Sequence, residues 1–88
     1  MAGITNREFD ELAQNGMNYL TWASDVEIVL TSRDLLHAIG TGTSQVTDAQ
    51  NAKALHFLRH HLCSTLKNEY MAERSALDLW NALKQRLE

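Results

Sequence analysis

The chain has 88 residues and a mass of 10.0 kDa, enough for one small domain with a modest core. Apolar residues make up 44% and charged residues 22%, which excludes a disordered chain. The net charge of −3, with eight scattered Lys and Arg residues, excludes a cationic stripe for nucleic acid. The single cysteine excludes an internal disulfide and is typical of a reducing compartment, and no apolar run is long enough to cross a membrane. We therefore expect residues 1–88 to form one helical domain in the cytoplasm.

The first helix start signal lies at Thr5, which forms a capping-box pattern with Glu8. A short helix should follow and stop at Asn15–Gly16. Its apolar side would carry Phe9, Leu12 and Ala13.

A second, longer helix is predicted from a cap at Asn18 to about Ser32. Its core-facing stripe has helical spacing and consists of Tyr19, Trp22, Ala23, Val26, Val29 and Leu30. Ser32 offers a cap for a brief helix over 34–39, and the glycine-containing segment 40–44 is predicted to be a loop.

The C-terminal half carries two further cap signals. A capping box at Thr47 predicts a helix from Asp48 to about Cys63, followed by a short turn over 64–71 with Ser64 as its cap. The buried side of the Thr47-capped helix should carry Ala52, Leu55, Leu58 and Leu62. Ser75 is expected to cap the last helix, whose apolar face is formed by Ala76, Leu79, Trp80, Leu83 and Leu87.

These patterns predict an all-α fold, a compact bundle of five to six short helices, since no segment alternates apolar and polar residues as a strand does. The expected core is Trp22, Val26, Leu30, Leu55, Leu58, Leu62, Leu79, Trp80 and Leu83. Three apolar residues fall outside the core stripes and are candidates for an interface: Leu20, Ile28 and Leu77. They would form a contact surface for another chain if they join one another or Met71 in one patch.

The strongest candidate for a chemical site is His56-x-x-x-His60-x-x-Cys63, because these side chains share one side of a helix and suit zinc. A structural zinc needs a fourth ligand, and no Cys-x-x-Cys pair exists. We therefore interpret them as surface residues and predict no metal site. His61, at the edge of the apolar stripe, is expected to be a packed histidine with a backbone partner.

Other reactive constellations are missing from the sequence. The loop at 40–44 lacks the lysine and the preceding strand of a phosphate loop. Asp25 and Glu27 point in different directions on a helix and form no carboxylate pair. We predict no catalytic residue, no enzymatic activity and no cofactor.

Two blocks of the sequence resemble a known family. Gly16-x-Asn18-Tyr19-x-x-Trp22-x-x-Asp25-x-Glu27 is similar to a segment near the start of Gag polyproteins of copia-type LTR retrotransposons. The segment 52–62, which contains Leu58-Arg59-His60-His61-Leu62, and the segments 66–70 and 79–84 follow the same family's order and spacing, and the opening segment 4–9 also fits. The segment 73–77 departs from the family, which commonly has Asp-Pro there.

The resemblance implies a fold like the N-terminal lobe of a capsid and a role in the assembly of a particle in the cytoplasm. The chain would then form homo-oligomers through capsid-like contacts. It would bind neither RNA by itself nor a membrane. An alternative is a truncated or domesticated Gag-derived adaptor that binds a host protein or interferes with Gag assembly. A small nucleic-acid-binding domain ranks third, and a zinc-dependent function last.

Overall fold

The computed structural model describes residues 9–40 and 45–88. Its helices are α1 (Tyr19–Ser32), a 3-10 helix (Leu36–Ile39), α2 (Asp48–His60), α3 (Ser64–Glu69) and α4 (Ala76–Leu87). The described residues contain no strand, so the all-α prediction is confirmed. These two ranges contain four α-helices and a single-turn 3-10 helix, and four α-helices do not confirm the expected five to six. No helix in them is long and apolar enough to cross a membrane.

The helix predicted at the N-terminus is wrong for its described part, residues 9–14. Leu12 instead forms an isolated parallel β-bridge with Leu62. The Leu12 amide donates to the His61 carbonyl oxygen (2.8 Å), and the Cys63 amide donates to the Leu12 carbonyl oxygen (3.1 Å). These bonds to a distant segment replace the local bonds that a helix would make. The capping box at 5–8 lies outside the described residues.

Asn18 stands at the N-cap position of α1, as predicted, but its side chain makes no capping bond. Its Oδ1 accepts from the Ala13 amide and its Nδ2 donates to the Glu11 carbonyl oxygen, both at 3.0 Å. The side chain therefore holds the extended segment before α1 in place.

The prediction for Ser32 is also wrong. It is the last residue of α1, and its hydroxyl donates to the Val29 carbonyl oxygen. The next helix begins only at Leu36, because Asp34 takes a left-handed conformation (φ +59°) that breaks the helical path. The loop was predicted over 40–44. Apart from Gly40, it lies outside the described residues.

Two cap predictions are confirmed. The Thr47 hydroxyl accepts from the Gln50 amide (3.1 Å) while the Gln50 side-chain oxygen accepts from the Thr47 amide (3.0 Å). The Ser75 hydroxyl accepts from the Asp78 amide (3.2 Å). α2 ends at His60, before the predicted Cys63, because the following residues leave the helix to pair with Leu12. Ser64 is the first residue of α3 rather than its cap.

The core lies between α1, the 3-10 helix, α2 and α4. All nine residues expected there are buried: Trp22, Val26, Leu30, Leu55, Leu58, Leu62, Leu79, Trp80 and Leu83. The indoles of Trp22 and Trp80 stack at the centre, with ring centroids 5.9 Å apart. Ala52 is exposed, contrary to expectation, because α2 turns Ala54 and Phe57 inward instead.

Asn51 couples the start of α2 to the start of α4. Its Oδ1 accepts from the Ala76 amide (2.8 Å) and its Nδ2 donates to the Arg74 carbonyl oxygen (2.9 Å). An amide side chain from another helix thus satisfies one of the free donors at the N-terminus of α4.

Candidate interaction surface

The outer face of α1 carries large apolar side chains in water. Leu20 is 75% exposed and Ile28 is 63% exposed, while Met17, in the turn before the helix, is 82% exposed. The opposite face of α1 is already packed into the core through Tyr19 and Trp22. The exposed apolar residues therefore take no part in the core.

Met17 and Leu20 line a surface groove with Leu87 at the end of α4. Gly16 permits this approach: its φ is +72°, and a Cβ placed on it would lie 2.9 Å from Leu87 Cδ2. Tyr19 also lines the groove, where burial raises the pKa of its phenol, with smaller contributions from nearby carboxylates. The sequence did not single out Met17, although an apolar residue in a polar turn was a visible signal.

Leu77 is only partly exposed (38%), because it covers Gly40 at the end of the 3-10 helix. A Cβ on Gly40 would lie 2.7 Å from Leu77 Cδ1. Leu77 and Leu87 are ten residues apart on α4, which corresponds to about 15 Å along the helix. Leu77 thus lies at the end of α4 opposite the groove that contains Leu20. Met71 and Val46 are further exposed apolar residues.

The three histidines on α2 and directly after it differ in burial: His56 is exposed, His60 is half-buried and His61 is buried. The rings of His56 and His60 are 6.3 Å apart between centroids. His61 is buried between the rings of Phe9 and Phe57, each 4.4 Å from it, and its Nδ1 donates to the Phe57 carbonyl oxygen (2.9 Å). The prediction of a packed histidine with a backbone partner is confirmed.

His56, His60 and Cys63 are not arranged as a metal site in the part of the chain that the structure describes. No group of three or more His, Cys, Asp or Glu side chains there is arranged to hold a metal ion. Cys63 is half-buried, and its backbone amide is used by the bridge to Leu12. The best-defined surface feature is therefore the apolar outer face of α1.

Comparison of the chain with models of protein families, with curated proteins and with solved structures found no match.

Proposed function

We propose that this chain is a structural module that associates with copies of itself through protein–protein contacts, as a capsid-like lobe of a Gag protein does in the cytoplasm. The observation that supports this role is the exposure of Leu20 and Ile28 on the outer face of α1. Both side chains would gain by leaving water, because burial of a Leu or Ile side chain is favourable by about 1.5–3 kcal/mol. The Gag origin rests on the sequence resemblance alone.

A contact formed by only two apolar side chains from each molecule would be weak for one pair of molecules. A shell contains many copies, and each additional contact within it forms at a high effective concentration. Weak pairwise contacts are thus compatible with assembly, and RNA binding would fall to another part of a Gag protein.

The proposal is tested by measuring the average molecular mass of the protein in solution between about 10 µM and about 1 mM, by sedimentation and light scattering. We expect the average mass to rise with concentration. Leu20→Asp and Ile28→Asp should reduce that rise, because each places a charge on the apolar face. Gln85→Asp, at an exposed position on α4, is the matched control and should not change it.

Far-UV circular dichroism should be the same for all of these variants, since the substituted side chains lie outside the core. A protein that stays monomeric near 1 mM would contradict the proposed role.

A further inference from the structure

The turn between Leu12 and α1 contains the only Asn-Gly dipeptide of the sequence, Asn15–Gly16. Asn15 is exposed, and Gly16 is half-buried with a left-handed φ of +72°. A side-chain amide that precedes a glycine is open to attack by the glycine's own backbone nitrogen, because no Cβ shields that nitrogen or restricts its rotation. The dipeptide is therefore a candidate site of covalent change.

Local hydrogen bonds hold the Asn15 side chain close to this nitrogen. Its Oδ1 accepts from the Met17 amide (3.0 Å), which folds the side chain over the peptide group of Gly16. The same bond stabilises the negative charge that develops on Oδ1 when a nucleophile attacks Cγ. One bond opposes the attack, because the Gly16 amide donates to the Ala13 carbonyl oxygen (2.9 Å) and must first leave it. A single turn hydrogen bond thus separates the folded conformation from a reactive one.

The other asparagines that the structure describes lack this arrangement. Asn18 and Asn51 each use both ends of the side-chain amide in hydrogen bonds to backbone groups. Asn68 and Asn81 lie within α3 and α4, where the helical backbone holds the next nitrogen away from the side-chain carbonyl. None of these four residues is followed by glycine. Reactivity is therefore concentrated at Asn15.

We infer that Asn15 is a site of spontaneous deamidation, which converts it to aspartate and isoaspartate through a cyclic succinimide. The Gly16 nitrogen gives its proton to a base in solution and attacks Asn15 Cγ. A new C–N bond forms, and the side-chain nitrogen leaves as ammonia. One water molecule then opens the ring. Cleavage between the Gly16 nitrogen and Cγ gives aspartate, and cleavage between that nitrogen and the Asn15 backbone carbonyl carbon gives isoaspartate.

Isoaspartate disturbs the start of α1, because its main chain runs through Cβ and Cγ and is one methylene longer. The Gly16 carbonyl oxygen accepts from the Tyr19 amide (2.9 Å). Gly16 also packs so closely on Leu87 that a Cβ would lie 2.9 Å from Leu87 Cδ2. A longer main chain cannot keep both contacts without strain. We expect a lower thermal midpoint for the isoaspartate form than for Asn15→Asp, which carries the same charge on an unaltered backbone.

Both products also add a negative charge beside the apolar groove. The net charge is already −3, and Met17, which lines the groove, is two residues away. The added repulsion should weaken the proposed self-association, and this consequence alone rests on the proposed function. Asn15→Asp should therefore reduce the rise of the average mass with protein concentration.

Ageing of the native protein tests the site. The parent protein and Asn15→Gln are incubated at mildly acidic and mildly alkaline pH, separated by anion exchange and mapped by peptide mass spectrometry. In the parent protein an acidic form should accumulate, faster at the alkaline pH because the Gly16 nitrogen must lose a proton. The change should map to residue 15 as a mixture of aspartate and isoaspartate. Asn15→Gln should stay a single species, because its longer side chain closes the ring more slowly.

The parent chain in denaturant is the reference for the rate. The folded protein should react within about tenfold of the denatured chain, because a single hydrogen bond has to open first. If Asn15 is still intact when the denatured chain is fully converted, or if the acidic form maps to another asparagine, the inference is wrong. A protein that deamidates at Asn15 and stays monomeric near 1 mM would overturn the proposed function and leave this site intact.

Discussion

The carbonyl oxygen of His61 is the point at which three parts of the chain meet. It accepts from the Leu12 amide (2.8 Å) and from the Trp22 indole nitrogen (2.9 Å). The bridge segment, α1 and the end of α2 are thus joined through one atom. Because Trp22 is only 1% exposed, water cannot replace its bond to this oxygen.

Trp22→Phe should destabilise the protein more than Trp80→Phe does. Each change shrinks one of the two stacked indoles, but only the first removes the hydrogen bond to His61. We expect a loss of about 2–4 kcal/mol for Trp22→Phe and about 1–2 kcal/mol for Trp80→Phe. Denaturant unfolding followed by circular dichroism measures both. Equal losses would show that the bond contributes nothing to stability.

At the scale of elements, the sequence predicts what is local. The cap of α2 at Thr47 and the cap of α4 at Ser75 were predictable, because the side chains bond within three residues. The segment around Leu12 was not, because its apolar spacing suits a helix while its hydrogen bonds go to residues some fifty positions away. Propensity cannot reveal a partner so distant in the chain.

The same limit applies to the interaction surface. The positions of Leu20 and Ile28 outside the core stripe followed from helical spacing, and both are exposed. The contact between Leu77 and Gly40 did not follow from helical spacing, since it joins elements that are distant in sequence. Helical spacing alone cannot separate Leu77 from Leu20, because it does not reveal the contact with Gly40.

Gly40→Ala tests the packing of α4 against the 3-10 helix. The left-handed φ of +87° and the close Leu77 side chain both oppose a Cβ, so we expect a loss of at least about 1 kcal/mol in unfolding free energy. In the Leu77→Ala background the loss should be smaller, because only the backbone strain remains. The double-mutant cycle measures this coupling, and additive losses would contradict it.

A bidentate ion pair joins α3 to α4 and predicts a pH dependence. The Arg86 guanidinium bonds both carboxylate oxygens of Glu69 and lies 3.4 Å from the Tyr70 hydroxyl. This hydrogen bonding, and then the charge of Arg86, holds the pKa of Glu69 below its ordinary value. The stabilisation is therefore fully present above the unfolded-state pKa of about 4.3 and is lost as the pH falls through the lower folded-state value.

Glu69→Gln should lower the thermal midpoint slightly at pH 7 and not at all at acidic pH. The effect is small because the pair is exposed to solvent. Melting curves of the parent protein and the variant, measured from pH 7 down to acidic pH, should converge as the pH falls through the lowered folded-state pKa of Glu69. Glu27→Gln, at an exposed glutamate on α1, is the control at low protein concentration. A constant difference at all pH values would exclude the ion pair as its cause.

At the scale of the whole molecule, compactness and net charge set the conditions for association. The radius of gyration is 12.4 Å, close to the roughly 12 Å of a compact chain of this length. Each copy carries a net charge of −3, so two approaching copies repel over a range set by the salt concentration. An apolar contact must form against that repulsion.

Salt should therefore strengthen self-association. The screening length falls from about 30 Å at 0.01 M salt to about 10 Å at 0.1 M, which weakens the repulsion and leaves the apolar contact unchanged. Sedimentation at constant protein concentration should show a higher average mass as sodium chloride is added, up to a plateau. Binding to RNA would respond in the opposite direction, because salt weakens contacts with phosphates. A mass that falls with salt would mean that attraction between opposite charges holds the copies together, which an apolar face on α1 cannot explain.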